Sequence, residues 1–274
     1  MLQIITDSSC DLPEELVVEH NIRIIPLTIS VDGRDYLERI DISPETFYAR
    51  MAASRELPKT SQPPPAAFAD AFRERAEYGP VICLTISSGL SGTYESACLG
   101  RDLSGVDAAV FDTGAGSLGH GLQVLRACKM AAAGCTVDEV IAELTEYRRQ
   151  MKILILLNTL ENIVKGGRLS KFQGTLANIL NIKLLLHNVD GKVELLERVR
   201  GSRRFYRRVL ETMQEFCSDM SDRDVGITHF LNPEGLEHIK KAMGAQCPPR
   251  SFVTNYMGAT MATYAGPGGM IISF

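Results

Sequence analysis

The sequence lacks the cysteine and histidine patterns that mark disulfide scaffolds and metal sites. Its seven cysteines include no C-x-x-C pair, and an odd number argues against a fully paired disulfide framework. The five histidines do not cluster either. We therefore expect reduced thiols, a cytoplasmic location, no metal site and no cofactor.

Long apolar runs and an excess of positive charge are also missing. The most apolar stretch, Ile153–Leu157, is far shorter than the roughly 20 residues that span a bilayer. The first residues enter a strand directly, so no signal peptide is predicted. The net charge is −4, which gives no overall attraction to nucleic acid. We expect a globular protein without stable membrane insertion and without a nucleic-acid partner.

A strand, a loop of small residues and a helix start lie together at residues 84–97. The apolar run at 80–86 predicts a buried parallel strand, and the serines and glycines after it allow a tight turn. Ser91 or Thr93 is predicted to cap the next helix, whose first N–H groups attract an anion. An ordinary capped helix is the alternative interpretation.

The order of the predicted elements indicates two domains. Strands alternate with helices up to about residue 150, which is typical of a parallel doubly wound sheet. Asp190-Gly191 then separates two apolar runs and predicts an antiparallel hairpin. We predict an α/β protein with an N-terminal parallel-sheet α/β domain (1–151) and a C-terminal α+β domain with a mixed sheet (152–274).

Two further segments suggest ligand contacts. Prolines make residues 58–65 extended and stiff, so Thr60, Ser61 and Gln62 could be presented with little entropy to lose; a plain linker is the alternative.

Residues 114–119 fit G-x-G-x-x-G, the pattern of a dinucleotide-binding loop. They do not follow the first strand, and the acid expected about 20 residues later is replaced by a helix start, so we reject a nicotinamide site.

Several short motifs occur together in a specific order and spacing. They are TDSS (6–9), KTSQP (59–63), SSGLSGTYESA (87–97), DT (112–113) with glycines at 119 and 121, KGGRLS (165–170), RG (200–201) and GPG (266–268). In this combination the chain resembles the DegV family of bacterial fatty-acid-binding proteins over essentially its whole length.

The resemblance implies a fold, a ligand and a partner. A long-chain fatty acid would be buried between two α/β domains. Its carboxylate would be held by the hydroxyls of Thr60, Ser61 and Ser91, with the backbone of Gly92 and Thr93 nearby. The role it implies is not enzymatic: the protein presents the acid to a separate fatty-acid kinase, which makes an acyl phosphate for phospholipid synthesis. Hydroxyls and helix-start N–H groups would hold the anion without a fixed positive charge.

The sequence departs from the family pattern just before residues 266–268. The family commonly has a histidine two residues before this GPG motif, where this chain has Tyr264. We expect Tyr264 to donate one hydrogen bond to the carboxylate, with a packing role as the alternative. A phenol stays neutral at pH values where a histidine would titrate, so little pH dependence of binding is expected between about pH 6 and 8.

Basic residues gather in two places on this acidic chain. Lys165, Arg168 and Lys171 surround the Gly-Gly turn, and arginines from Arg198 to Arg208 follow the predicted hairpin. A local basic surface suits an acidic docking face or the ATP phosphates of a partner. The family match favours Arg168 and Arg200 as the kinase-docking residues.

Two other function classes stay open from the residues alone. A serine-dependent acyl hydrolase could use Ser91 or Ser8, but the chain has no G-x-S-x-G elbow and no histidine with an obvious acidic partner. A phosphate- or nucleotide-binding module could use the small-residue loop, but the G-x-x-x-x-G-K-[ST] pattern is missing.

Overall fold

The computed structural model describes residues 1–169 and 181–274; Ser170 and Lys171, named above, lie outside them. The strands are β1 (Gln3–Asp7), β2 (Arg23–Ile25), β3 (Thr28–Val31), β4 (Arg34–Leu37), β5 (Lys59–Ser61), β6 (Val81–Thr85), β7 (Ala108–Asp112), β8 (Ile153–Leu157), β9 (Ile182–Val189), β10 (Lys192–Arg200), β11 (Asp224–His229), β12 (Ser251–Tyr256) and β13 (Met270–Ser273). The helices are α1 (Glu14–Glu19), α2 (Pro44–Ala53), α3 (Pro65–Ala76), α4 (Thr93–Ser104), α5 (Leu118–Ala132), α6 (Val137–Gln150), α7 (Glu161–Lys165), α8 (Ser202–Phe216), α9 (Pro233–Gln246) and α10 (Ala259–Ala265).

The N-terminal part forms a parallel sheet in the order β2-β1-β6-β7. Every residue of β6 is buried, as its apolar run predicts. The carboxyl ends of these strands meet at one edge, where the Asp7 carboxylate accepts a hydrogen bond of 2.7 Å from the N–H of Ile86. Polar groups from separate loops are therefore brought together at this edge.

The C-terminal part forms a mixed sheet in the order β10-β9-β8-β13-β11-β12. Its pairs are antiparallel except β11 with β12, which run parallel. The predicted hairpin joins β9 to β10, and Asp190 and Gly191 have φ values of 48° and 78°, the left-handed values that this tight turn needs. The predicted fold class, a parallel sheet followed by a mixed sheet, is confirmed.

A third sheet holds the proline-rich segment; Asp32-Gly33 predicts the turn between its strands β3 and β4, but the pairing of β5 was not predicted. It is antiparallel in the order β4-β3-β5, and Thr60 on β5 lies opposite the fully buried Ile29 on β3. The segment is extended, as the prolines predict, but it is also paired. Pairing with β3 gives Thr60 a fixed position that a free linker would not have.

Helix α5 connects the two larger sheets. A Cβ atom on Gly119 would lie 2.6 Å from Cδ1 of Ile153 on β8, and one on Gly226 of β11 would lie 2.6 Å from Cβ of Leu118. Both contacts are closer than side chains allow, so glycine permits the helix to approach the C-terminal sheet. On its other side, a Cβ on Gly121 would lie 2.6 Å from the carbonyl oxygen of Cys10.

One hydrophobic cluster crosses between the two parts of the chain. It combines Ile29, Tyr48 and Ala115 with Ile155 and Ile271 of the C-terminal sheet. The division at residues 151 and 152 separates the strands of the two larger sheets, but the shared cluster means that the two parts bury apolar surface against each other. The domain boundary stays a prediction.

Three local features differ from the expectations. Helices α7 and α10 were not predicted. The largely apolar residues 22–31 predict one strand-like run, but β2 and β3 belong to different sheets and Pro26, which has no N–H to donate, lies between them. The cap of α4 is Gly92, with no side-chain hydrogen bond, rather than Ser91 or Thr93. Among the described residues, no helix combines the length and apolar character needed to cross a membrane.

Candidate ligand-binding site

A largely apolar cavity lies where the three sheets and α10 meet. Its apolar lining comes from strands, loops and α10 alike. These residues are Leu27, Ile86, Leu90, Ala115, Gly116, Ile153, Ile155, Leu157, Ile163, Val193, Met261, Ala265 and Ile271. A cavity with such walls suits a hydrocarbon chain, because the chain gains free energy on leaving water and loses no hydrogen bonds.

Polar side chains also line this cavity: besides Asn188 on β9 and Thr260 on α10, there are four that come from separate segments. Thr60 comes from β5, Ser91 from the loop after β6, Arg168 from the turn after α7 and Tyr264 from α10. All four are only half-buried. The structure thus brings together residues that lie more than 200 positions apart in the chain.

Thr60 and Tyr264 are joined directly. Their hydroxyl oxygens lie 2.6 Å apart, and either can be the donor. The Tyr264 ring packs so closely on Gly166 that a Cβ there would come within 2.3 Å of a ring carbon. The glycine of the turn after α7 therefore leaves room for the tyrosine ring, whose hydroxyl contacts Thr60.

Arg168 lies over the same ring. Its guanidinium carbon is 5.0 Å from the ring centroid of Tyr264, a cation–π distance. Its Nε donates to the Leu90 carbonyl at 3.2 Å, and its Nη1 donates to the Gly166 carbonyl at 2.6 Å. We expected Arg168 on a docking surface and a site without fixed positive charge. The structure places this guanidinium in the lining of the cavity, so the cavity does carry a fixed positive charge. The docking role of Arg168 stays a prediction.

The remaining predicted residues do not line the cavity. Ser61 is exposed, because it points to the opposite face of β5 from Thr60. Thr93 is fully buried and its hydroxyl lies 2.8 Å from that of Ser91. A Cβ on Gly92 would lie 2.1 Å from Oε1 of Gln62, so this glycine lets the Gln62 side chain cross the start of α4. Arg200 is exposed at the end of β10.

The model of the DegV protein family matches residues 1–274. The chain belongs to the DegV family. A DegV domain-containing protein of Clostridium acetobutylicum is 37% identical over 267 residues, which are 97% of this chain and 95% of the relative. A second, from Caldanaerobacter subterraneus, is 32% identical over 275 residues, covering 100% of this chain and 98% of the relative.

Solved structures of DegV proteins have the same fold. A fatty-acid-binding DegV family protein of Thermus thermophilus matches with a TM-score of 0.93 and 30% identity, covering 100% of this chain and 99% of that one. The fatty-acid-binding protein DegV of Bacillus subtilis matches with a TM-score of 0.88 and 27% identity, covering 99% and 98% of the two chains.

The serines that a hydrolase would use have other partners in this DegV chain. Ser8 donates to Glu38 at 2.6 Å and accepts from the N–H of Leu27 at 3.0 Å. Ser91 pairs with Thr93. Within residues 1–169 and 181–274, neither serine hydrogen-bonds a histidine. The G-x-G-x-x-G segment also makes a contact within the protein: the hydroxyl of Ser117, at the start of α5, donates to the Asp11 carboxylate at 2.6 Å.

Two buried carboxylates that the sequence analysis missed hold the start of α10. Glu38 accepts from the N–H and the hydroxyl of Thr260 at 2.8 and 2.6 Å. Asp11 accepts from the N–H of Gly258 at 3.0 Å. A Cβ on Gly258 would lie 2.5 Å from Asp11 and 2.8 Å from Glu38, so only glycine fits between them. Isolated acids in a sequence carry no signal that they will meet in this way.

Asp11 is fully buried, and this changes its titration. Burial, and then the nearby charge of Glu38, raise its pKa from 3.8 to about 8, against the opposing effects of the Ser117 and Gly258 hydrogen bonds and of Arg39. The folded protein therefore binds this proton more tightly than the unfolded chain does. The resulting stabilisation is complete below about pH 4 and is lost as the pH rises towards about 8.

Proposed function

We propose that this chain binds a long-chain fatty acid, with the acyl chain in the apolar cavity and the carboxylate beside Thr60, Ser91, Arg168 and Tyr264. The observation that carries the proposal is the cavity itself: apolar walls with hydroxyls and one guanidinium clustered at the α10 side. The relatives from Thermus thermophilus and Bacillus subtilis, described as binding fatty acids, support it.

The energetics suit this ligand. Burial of about 14 methylenes at roughly 0.8 kcal/mol each gives about 11 kcal/mol before the costs of ordering the chain. A carboxylate would be costly to remove from water without donors, and each hydrogen bond to it contributes about 1.5–3 kcal/mol. Arg168 adds an opposite charge next to the anion, which the hydroxyls alone would not supply.

The other predicted ligand residues support the site indirectly in this proposal. Thr93 positions the Ser91 hydroxyl, and Gly92 makes room for Gln62. Ser61 is the exception: we do not propose that it contacts the carboxylate, because its side chain is exposed on the opposite face of β5 from Thr60. The carboxylate would instead meet the side chains of Thr60 and Tyr264, which are already in contact.

We further propose that the bound acid is presented to a separate fatty-acid kinase and that the chain itself performs no chemistry. An acyl chain held inside the protein leaves the carboxylate as the part that a partner could reach. Arg200, exposed at the end of β10, is the proposed docking residue, and Arg168 is proposed to contact the ligand. All seven cysteines are free, which suits the reducing cytoplasm.

Two measurements test the binding proposal. Mass spectrometry of organic extracts from the purified protein should reveal co-purifying fatty acid. Co-purification of a nucleotide would contradict the binding proposal. Hydrolysis of a p-nitrophenyl ester that Ser91→Ala abolishes would contradict it as well. In binding titrations, Thr60→Ala and Tyr264→Phe should each weaken fatty-acid affinity by about fivefold or more, the loss of about 1 kcal/mol. Tyr78→Phe is the matched control, because Tyr78 is 66% exposed and does not line the cavity.

A further inference from the structure

Glu38, the residue directly after β4, has its carboxylate in the interior of the protein. Only 2% of the residue is exposed. The carboxylate accepts hydrogen bonds from the hydroxyl of Ser8 at 2.6 Å and from the N–H and the hydroxyl of Thr260 at 2.8 and 2.6 Å. These donors offset the cost of removing the carboxylate from water. Because the donors belong to distant parts of the chain, the same contacts join those parts through one side chain.

One side of Glu38 leads to Tyr264. Helix α10 has only seven residues and is preceded by Gly258, which has no side chain to cap it. Glu38 supplies the cap from a distant segment, because it accepts the N–H of Thr260 in the first turn. Thr260 and Tyr264 are one helical turn apart, so they lie on the same face of α10, and both line the cavity. The contact at Thr260 therefore fixes where Tyr264 enters the cavity.

The other side of Glu38 leads to Thr60. Leu27 lines the cavity and directly precedes β3. Its carbonyl accepts from the N–H of Glu38 at 2.9 Å, and its own N–H donates at 3.0 Å to the Ser8 hydroxyl, which in turn donates to Glu38. Strand β3 then places Ile29 opposite Thr60 on β5. Glu38 therefore holds the start of the strand against which Thr60 is paired.

We propose that Glu38 is a positioning residue of the fatty-acid site and sets the distance between the hydroxyls of Thr60 and Tyr264, which lie 2.6 Å apart on two separate elements. The inference rests on the proposed function and adds a residue that acts on the carboxylate without touching it, since Glu38 does not line the cavity. Hydrogen bonds weaken steeply when their geometry is lost. Displacement of either hydroxyl should therefore weaken the grip on the carboxylate and leave burial of the acyl chain unchanged.

The first test is a double-mutant cycle of Glu38→Gln and Tyr264→Phe, measured by titration with hexadecanoic acid. Glutamine keeps the size of the side chain but replaces one acceptor oxygen by an N–H donor at the Ser8 and Thr260 contacts. Glu38→Gln should weaken binding about fivefold in the parent, as Tyr264→Phe is expected to do. In a protein that already carries Tyr264→Phe, the same change should cost about twofold at most, because the hydroxyl that Glu38 positions is gone.

A second ligand and a matched control separate positioning from general destabilisation. Hexadecanol has the same chain length and no carboxylate, so Glu38→Gln should leave its affinity unchanged. Glu139 makes the same kind of contacts at the start of α6, accepting from the N–H and the hydroxyl of Thr136 at 2.7 and 2.9 Å, and α6 does not line the cavity. Glu139→Gln should therefore lower the melting temperature without changing the affinity for the acid.

The possible failures are distinguishable. Ser8→Ala removes a donor to Glu38 from outside the cavity and takes the place of Glu38→Gln in the same cycle should that variant not fold. No loss of affinity, an equal loss with and without Tyr264→Phe, or an equal loss for acid and alcohol overturns this inference and leaves the proposed function standing. A parent that does not bind hexadecanoic acid overturns the proposed function and this inference with it.

Discussion

The buried Asp11 makes a quantitative prediction about stability and pH. Its raised pKa, about 8 compared with 3.8 for the unconstrained side chain, means that the folded protein holds a proton between about pH 4 and 8 that the unfolded chain has released. In that range the free energy of unfolding falls as the pH rises. A single group contributes at most about 1.4 kcal/mol per pH unit, so Asp11 alone should cost about 2.7 kcal/mol between pH 5 and 7.

Several histidines change the free energy of unfolding with pH in the opposite direction, so a variant is needed to isolate the contribution of Asp11. Burial lowers the pKa of His120, His187 and His229. Each of these contributes stability above its unfolded-state pKa, and that stability is lost as the pH falls from there to the lower pKa of the folded state. Asp11→Asn keeps the size of the side chain and cannot titrate. The difference in unfolding free energy between Asp11→Asn and the parent cancels the histidines.

The assay is urea unfolding of the parent and Asp11→Asn at several pH values between 5 and 7. The stability of Asp11→Asn relative to the parent should rise with pH by about 1.4 kcal/mol per unit. Asp70→Asn, at an exposed aspartate on α3 whose side chain is 80% accessible, should show a difference that does not change with pH. A constant difference for Asp11→Asn as well would refute the argument, because the buried carboxyl would then hold no proton in this range.

Three further predictions concern the ligand and the partner. Arg168→Gln should weaken fatty-acid binding about tenfold or more in a titration, because it removes the charge beside the carboxylate. Arg200→Glu should leave binding unchanged and slow phosphorylation by the kinase. Normal kinase turnover with Arg200→Glu would reject the docking role. Tyr264→His should make binding stronger below about pH 6.5, and equal pH profiles for variant and parent would show that residue 264 does not contact the carboxylate.

Elements with strong local signals were predictable from the sequence. The sequence pattern predicts a helix at residues 202–216 and a strand at residues 270–273, and both match the structure at both ends. Asp190-Gly191 forms the expected turn. In each case the residues that decide the element lie within it. The hydrophobic period, the capping residues and the turn residues are then sufficient to predict the element.

Elements decided by distant contacts were not predictable. Helix α10 is short, and its start is held by Glu38 from more than 200 residues earlier, so its own residues give little indication of a helix. The same holds for β5, whose pairing with β3 depends on a strand about 30 residues away. For the site, the family resemblance pointed to Thr60, Ser91 and Tyr264. The position of Arg168 over Tyr264 required the structure.

The four residues proposed to hold the carboxylate come from four segments spread between residues 60 and 264, and this arrangement links ligand binding to the stability of the protein. Such a cluster exists only when the whole chain is folded, so under the proposed function the fatty acid binds the native state and not the unfolded one. An acid present at 100 times its Kd would add about 2.7 kcal/mol to the free energy of unfolding. Occupied molecules would then open less often than empty ones, and proteases would remove the empty ones first. The amount of protein in a cell would in that way follow the supply of its lipid.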